Sequence, residues 1–535
     1  MQLIQKSLLL FLFFSSILFG QNVAPVLQAT GNQLYCPQTT LPIVTDMSII
    51  DPDDVGISAM YIQISSGYVF GQDVLTLTGV HPSISASWNA IEGKLSLNGV
   101  SGNPTYVAFI AAIEAVVFST SNPNPSGQRV FSITVGQANY LASTDHYYEF
   151  VPNIGINWNA AKDAAAASTY YGLQGYLATI TTMDEVQISG VQASGAGWIG
   201  GTDLATEGVW KWATGPEIGT IFWNGTANGN SPNFAFWNSN EPNQSGDEDY
   251  AHITAPGVGN PGSWNDLSNT GATSGSYQPK GYIVEYGGMP GESSLQLSAS
   301  TTLSIAKILT TSAASRCDTG SITLNATASI GSIDWFDIAS GGSIIDSGNN
   351  FTTPFLSSTK NYYAEVSGCT STRTVIAATI NTTPTISTTK PIVSRCGTGS
   401  VVIEAIASIG NVNWFTDATG GTQIGTGTTF TTPALLNNTL FYAEANNNGC
   451  TSSNRVSINA IINPVPVVTN ETVILCQSSS LTLDATLSGM TYLWSTSETS
   501  KTITITSAGN YDVIITNSYP CSSTKTIAVV EHLIP

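Results

Sequence analysis

The sequence predicts a mostly β, multidomain chain: several β-sandwiches with one α+β block among them. Three observations carry this. Short runs of β-branched and apolar residues alternate with polar ones and are bounded by Gly, Asn and Pro. A motif repeats towards the C-terminus, first at a shift of 79 residues. Between residues 145 and 288 the texture changes, with helical spacing and clustered tryptophans. At 535 residues there is room for several domains.

Residues 1–20, "MQLIQKSLLLFLFFSSILFG", place one lysine before a short apolar run and end in small or polar residues. This is the layout of a secretory signal peptide, too short to span a bilayer. No cysteine closes it, which argues against a lipoprotein anchor, and no later stretch reaches transmembrane length. A net charge of −20 with only 9% charged residues argues against nucleic acid or an anionic membrane as the main partner.

Residues 22–140 read as a β domain. "SIIDPDDVGISAMYIQIS" leads into "LTLTGV", "GKLSLNGV" and "GQRVFSITV". The acidic turn after the first strand and the alternating closing strand resemble cadherin-like repeats. Asp51, Asp53 and Asp54 offer carboxylates for calcium, but the reading favoured for them is an ordinary Asp-Pro turn.

The block 145–288 opens on "NWNAAKDAAAAS", with Trp158, Ala161 and Ala165 at helical spacing. Then come "GYLATITTMDEVQI", "GWIGGTD", "WNSNEPNQSGDEDYAHI", "SWND" and "GYIVEY", in that order. "GAGWIG" satisfies G-x-G-x-x-G but lacks a following phosphate-binding helix. Crowded acceptors in a chain so poor in charge imply a cation between them. The ordered set of motifs resembles the C-type lectin domain from end to end.

The resemblance implies Ca²⁺ as cofactor, held by Glu241 and Asn243 of "EPN", Glu248 of "GDEDY", and Asn265 and Asp266 of "WND". The same five would bind two neighbouring sugar hydroxyls, since Ca²⁺ takes six to eight hard oxygens. Pro242 would follow a cis bond. Glu-Pro-Asn rather than Gln-Pro-Asp implies equatorial hydroxyls of mannose, glucose, N-acetylglucosamine or fucose type. Asp203, Glu207 and Asp249, with Glu248, would form an auxiliary site. Gln244 stands where an acid often helps. The family's two usual disulfides are absent, with Ala165 and Val284 in place of one pair and Tyr250 and Asn269 in place of the other.

The last third repeats. "SRCDTGSITLNATASIGSIDWF" is answered by "SRCGTGSVVIEAIASIGNVNWF", and "LCQSSSLTLDATLS" begins a third copy. In each a cysteine precedes a tryptophan by 18 positions: Cys317 and Trp335, Cys396 and Trp414, Cys476 and Trp494. Period-two apolar residues follow each cysteine, and a second cysteine closes each copy: Cys369, Cys450 and Cys521. Three immunoglobulin-like β-sandwiches are what these repeats resemble, at 300–385, 386–465 and 466–535. Cys317, Cys369, Cys396, Cys450, Cys476 and Cys521 are expected to pair within their own repeats, leaving Cys36 without a partner.

His81, His146, His252 and His532 show no zinc spacing, and H-E-x-x-H, G-x-S-x-G and Walker patterns are absent. Glu241 and Asp266 are read as metal ligands rather than a glycosidase pair. The expectation is a non-enzymatic, secreted or cell-surface adhesin binding glycans through Ca²⁺. The alternative is a calcium-stabilised protein-binding or structural module.

Overall fold

The computed structural model describes residues 23–532 apart from 194, 256 and 370–372. The expected signal peptide lies outside the described residues. The chain is mostly β and multidomain, with immunoglobulin-like sandwiches. No helix among the described residues is long and apolar enough to cross a membrane.

The first sheet runs Asn32–Tyr35, Ser298–Ile305, Gln128–Thr134, Ala59–Ser66, Lys94–Gly99, Ile84–Asn89. A second sheet of Leu41–Pro42, Val116–Thr120 and Asp73–Leu77 faces the same core, joined by the helix Tyr106–Glu114. Ser298–Ile305 pairs antiparallel with Gln128–Thr134 and parallel with Asn32–Tyr35. This corrects the boundary expected at residue 300: the strand belongs to the first domain, and the middle block is inserted between two neighbouring strands of one sheet. The reason is apolar alternation, with Leu297, Ala299, Leu303 and Ile305 buried in the first core.

In the middle block the helix Trp158–Ala167 buries Trp158, Ala161 and Ala165, the face its spacing predicts. Asn157 Oδ1 caps it by accepting from the Ala160 N–H at 2.8 Å. The main sheet follows the order Asn139–Leu141, His146–Pro152, Gly281–Tyr286, Trp198–Thr202, Val209–Trp212, Ile221–Asn224. The strand Gly281–Tyr286 is buried at every position, which suits a central strand covered on both faces. Trp198, Trp210, Trp212 and Trp264 are all core residues. "GAGWIG" runs into a strand, Trp198–Thr202, not a helix.

Where the disulfides of the resembled family are missing, packing and a cap take their place. Ala165 and Val284 are fully buried. Tyr250 lies against Trp158, ring centroids 4.8 Å apart. Asn269 accepts from the Trp158 N–H through its carbonyl at 2.9 Å and from the Asn159 N–H through Oδ1 at 3.2 Å, satisfying the start of the helix.

Each of the three repeats folds as a two-sheet sandwich around its tryptophan. Trp335, Trp414 and Trp494 are buried. Their indole N–H groups donate to the carbonyls of Gly348, Gly427 and Ser500 at 2.7, 2.8 and 2.8 Å. Leaving a buried indole donor unpaired would cost about 1–3 kcal/mol, so these bonds protect the gain from burying the ring. In the first two sandwiches an arginine lies flat on an aromatic ring: Arg373 is 3.3 Å from the centre of Phe336 and Arg455 is 3.4 Å from that of Phe415. Each also pairs with a glutamate, Glu365 or Glu444.

The disulfides do not pair as expected. They join Cys36 to Cys369, Cys317 to Cys450 and Cys396 to Cys521, while Cys476 is free and exposed. Every bond therefore crosses from one domain to the next. The physical reason lies in strand direction. Ala314–Cys317 and Ile392–Cys396 run parallel to the last strands of their own sandwiches, so each cysteine sits where the chain leaves the domain. Asn32–Tyr35 runs parallel to Ser298–Ile305 in the same way. Cys369, Cys450 and Cys521 are buried. At the first joint Leu34, Ala306, Val366 and Cys369 form a small apolar cluster. At the other two, Asn447 Nδ2 donates to the Thr382 carbonyl at 2.9 Å, and Asn517 Nδ2 to that of Pro464 at 2.6 Å.

Candidate metal centre

Two adjoining segments build the site. The strand Trp264–Leu267 pairs antiparallel with Tyr250–Ile253, setting Asn265 opposite His252 and Asp266 opposite Ala251. Backbone bonds then pin the loop beside it, with Trp264 N donating to Phe236 O at 2.9 Å and Asn238 N to Trp264 O at 2.8 Å. Trp237 is part of this anchor. Its ring meets Trp210 edge-on at 4.7 Å and Trp264 at 5.8 Å, so it serves the core, not a sugar platform. The chain reverses through Asn240 and Gln244, both at positive φ, around a cis Glu241–Pro242 bond.

Glu241, Asn243, Glu248, Asn265 and Asp266 line one open cavity of about 420 Å³. Glu241, Asn265 and Asp266 form its buried floor, and Asn243 its exposed rim. Ser245, Gly271, Ala272 and Tyr277 complete the wall. Gly271, Ala272 and Tyr277 were missed by sequence reasoning because residues 268–280 form an irregular loop with no periodic signal. Asn238, also missed, braces Asn265 from behind, its Nδ2 3.4 Å from Asn265 Oδ1.

The carboxylates are tied down. Glu241 accepts from Asn243 Nδ2 at 2.5 Å and from Asn265 Nδ2 at 2.9 Å. Asp266 accepts from the backbone N–H groups of Asn243 and Gln244 at 3.0 and 2.9 Å. Glu248 accepts from the Ser245 N–H at 3.0 Å. No lysine or arginine lines the cavity. Burial first, then the neighbouring Asp266, pushes the Glu241 carboxyl up to about 8. Burial, again with Asp266, also raises Glu248. Acids crowded to this degree are a donor set for a hard cation, and the residues fit Ca²⁺.

Asp203 and Asp249 lie next to this loop. Asp203 Oδ2 accepts from the Gly208 N–H at 2.9 Å and from Gln244 Nε2 at 3.3 Å, while its buried Oδ1 has no protein partner. Burial, with the charges of Glu207 and Asp249, raises Asp203 to about 6. Asp249 is raised by burial and by Asp247. Glu207 is exposed at the edge. The expected auxiliary acids are thus neighbours, and Gln244 donates to Asp203 among them.

Among the described residues, one carboxylate trio has its oxygens all within 4.8 Å of one another: Asp51, Asp53 and Asp54. Its oxygens are used within the fold. Asp51 accepts from the Asp53 and Asp54 N–H groups and from the Tyr106 hydroxyl, and Asp53 accepts from the Val23 N–H. A turn accounts for this cluster.

The chain is 32% identical over 268 residues to halomucin of Haloquadratum walsbyi, a match covering 48% of this chain and 3% of that protein. It is 32% identical over 120 residues to C-type lectin domain family 4 member M of Hylobates lar, covering 22% of this chain and 25% of that one. The chain therefore spans only a small part of these relatives. Among solved structures, an I-band fragment I67–I69 from titin aligns at 13% identity and a TM-score of 0.24, covering 42% of this chain and 98% of that one. Residues 306–381 and 382–464 each match the family described as "Ig-like domain CHU_C associated".

Proposed function

We propose that this is an exported, adhesin-like surface protein whose middle block binds glycans through Ca²⁺, the flanking sandwiches serving as spacers. The observation that carries the reading is the convergence of Glu241, Asn243, Glu248, Asn265 and Asp266 on one open cavity without a balancing cationic side chain. Bound there, Ca²⁺ supplies a hard centre to which two vicinal sugar hydroxyls add as oxygen ligands. Glu241 accepts from a hydroxyl, and the amides of Asn243 and Asn265 donate to one. The Glu-Pro-Asn order favours equatorial hydroxyls of mannose, glucose, N-acetylglucosamine or fucose type. Similarity to a C-type lectin and to halomucin supports the same reading. So does the cadherin-like look of the first domain, as a further spacer.

A single shallow site of this kind reaches about millimolar affinity, near −4 kcal/mol, so adhesion would draw on many copies. The test is retention of the protein on mannose resin with calcium, and release by EDTA and by free mannose. Asp266→Ala should abolish retention. If calcium raises the melting temperature but no sugar of the four types is bound, the block is a calcium-stabilised structural or protein-binding module instead.

A further inference from the structure

The three disulfides follow one rule, and Cys476 satisfies half of it. Cys317 pairs in register with Asn381, Cys396 with Asn463 and Cys476 with His532, each opposite the end of the last strand of its sandwich. The next residue repeats the geometry. Asp318 N donates to Asn381 O at 2.8 Å, Gly397 N to Asn463 O at 2.9 Å and Gln477 N to His532 O at 3.2 Å. All three cysteines are exposed on the edge of their own domain. Two of them hold a buried cysteine of the following sandwich, Cys450 or Cys521. Cys36, beside the end of the first domain's last strand, holds buried Cys369 in the same sense. The joint is head-to-tail: a cysteine at the exit of one domain, exposed in Cys317 and Cys396 and half-buried in Cys36, meets a buried cysteine of the next.

We propose that Cys476 is the docking point of a fourth such joint. Its occupant is a further immunoglobulin-like sandwich of the same kind, stacked beyond the third, presenting a cysteine at the position held by Cys369, Cys450 and Cys521. Three equivalent cysteines already bound to that partner identify it, and the new contact continues an established interface. A second copy meeting through its own Cys476 would join two exit ends, a geometry that none of the three joints uses. Head-to-tail joints stay open to extension. The bond forms between two thiols, whose two protons and two electrons pass to oxidised glutathione, leaving two molecules of reduced glutathione.

The experiment extends the full chain after Pro535 by a second copy of residues 464–535 and oxidises it in a glutathione buffer. Non-reducing peptide mapping should find Cys476 bound to the added copy's counterpart of Cys521. One thiol should remain, now on the added counterpart of Cys476. In the same extended chain Cys476→Ser should leave two thiols, both in the added copy. Closure of the added copy's two cysteines on each other, a Cys476–Cys476 dimer, or a folded added copy with Cys476 still a thiol would each overturn the proposal. A parallel extension with residues 382–466 guards against an added copy that fails to fold. Absence of the bond in both extensions also overturns it.

Discussion

Asn265 donates from Nδ2 to Glu241 Oε1 at 2.9 Å, tying the buried strand Trp264–Leu267 to the loop that carries Glu241. The floor of the cavity is thereby assembled from protein contacts alone, and Glu241 holds its proton to a pH well above that of an ordinary glutamate.

Calcium binding should therefore release that proton. Without a cation, Glu241 contributes to stability fully below its unfolded value of 4.5, and this contribution is lost as the pH climbs to about 8. Calcium competes with the proton, so its affinity should rise by up to about tenfold per pH unit from pH 6 to 8. Calorimetric titration in buffers of different ionisation heat reads the proton release. A pH-independent Kd with no proton released would contradict the assignment.

Asp266 pins two loop N–H groups and, in the proposed site, supplies charge to Ca²⁺; two substitutions separate these. Asp266→Ala removes the charge and leaves the N–H groups of Asn243 and Gln244 without their protein acceptor, at a cost of about 1 kcal/mol each where water can replace it. Asp266→Asn keeps one acceptor. It should retain more of the melting temperature while still weakening calcium binding more than tenfold. Thermal melts with calcium and with EDTA check both effects.

His252 makes the middle block acid-sensitive. It is fully buried, its ring edge-on to Trp198 at 4.9 Å, and desolvation lowers it from 6.5 to about 3. The unfolded chain binds this proton first, so the stabilising contribution is complete above pH 6.5 and lost as the pH falls to about 3. The loss is on the order of 5 kcal/mol at the acid end. His252→Gln should flatten that slope, as read by urea melts between pH 7 and 4.

Arg373 is a linchpin of the first sandwich. It covers Phe336, pairs with Glu365 at 2.8 Å and donates to the carbonyls of Ile338 and Gly341. Arg373→Ala leaves Glu365 buried and unpaired, a loss of about 3–5 kcal/mol. Arg373→Lys keeps the charge but not the planar fork, and should recover only part of it. Chemical denaturation of both variants gives the ranking.

Thiol titration should find one reactive cysteine in the native protein and seven after reduction and unfolding. Non-reducing peptide maps should link Cys317 to Cys450 and Cys396 to Cys521; links within repeats would contradict the fold.

Much of this was legible in the chain. The spacing of Trp158, Ala161 and Ala165 marks a helix face, and the alternation after each repeat cysteine marks a strand. The five site residues that the sequence singles out line one cavity. The disulfide partners were not legible, because spacing within a repeat is blind to what lies beyond its end. The insertion was hidden for a related reason. The strand Ser298–Ile305 carries its period-two pattern in plain view, but its partner Gln128–Thr134 lies far back in the chain, before the whole middle block. Arg373 and Arg455 gave no signal, since a lone basic residue near a strand end reads as surface.

The disulfides also decide where tension would run if the protein were pulled along its length. A load entering near Val23 reaches Cys36, crosses to Cys369, follows the backbone to Cys396 and crosses again to Cys521. The inserted block and nearly all of three sandwiches hang off this route as covalently closed loops. Only roughly fifty described residues lie in series, about 3.5 Å of contour each. Force would therefore bypass Glu241 and Asp266, and the cavity that they line stays outside the loaded path.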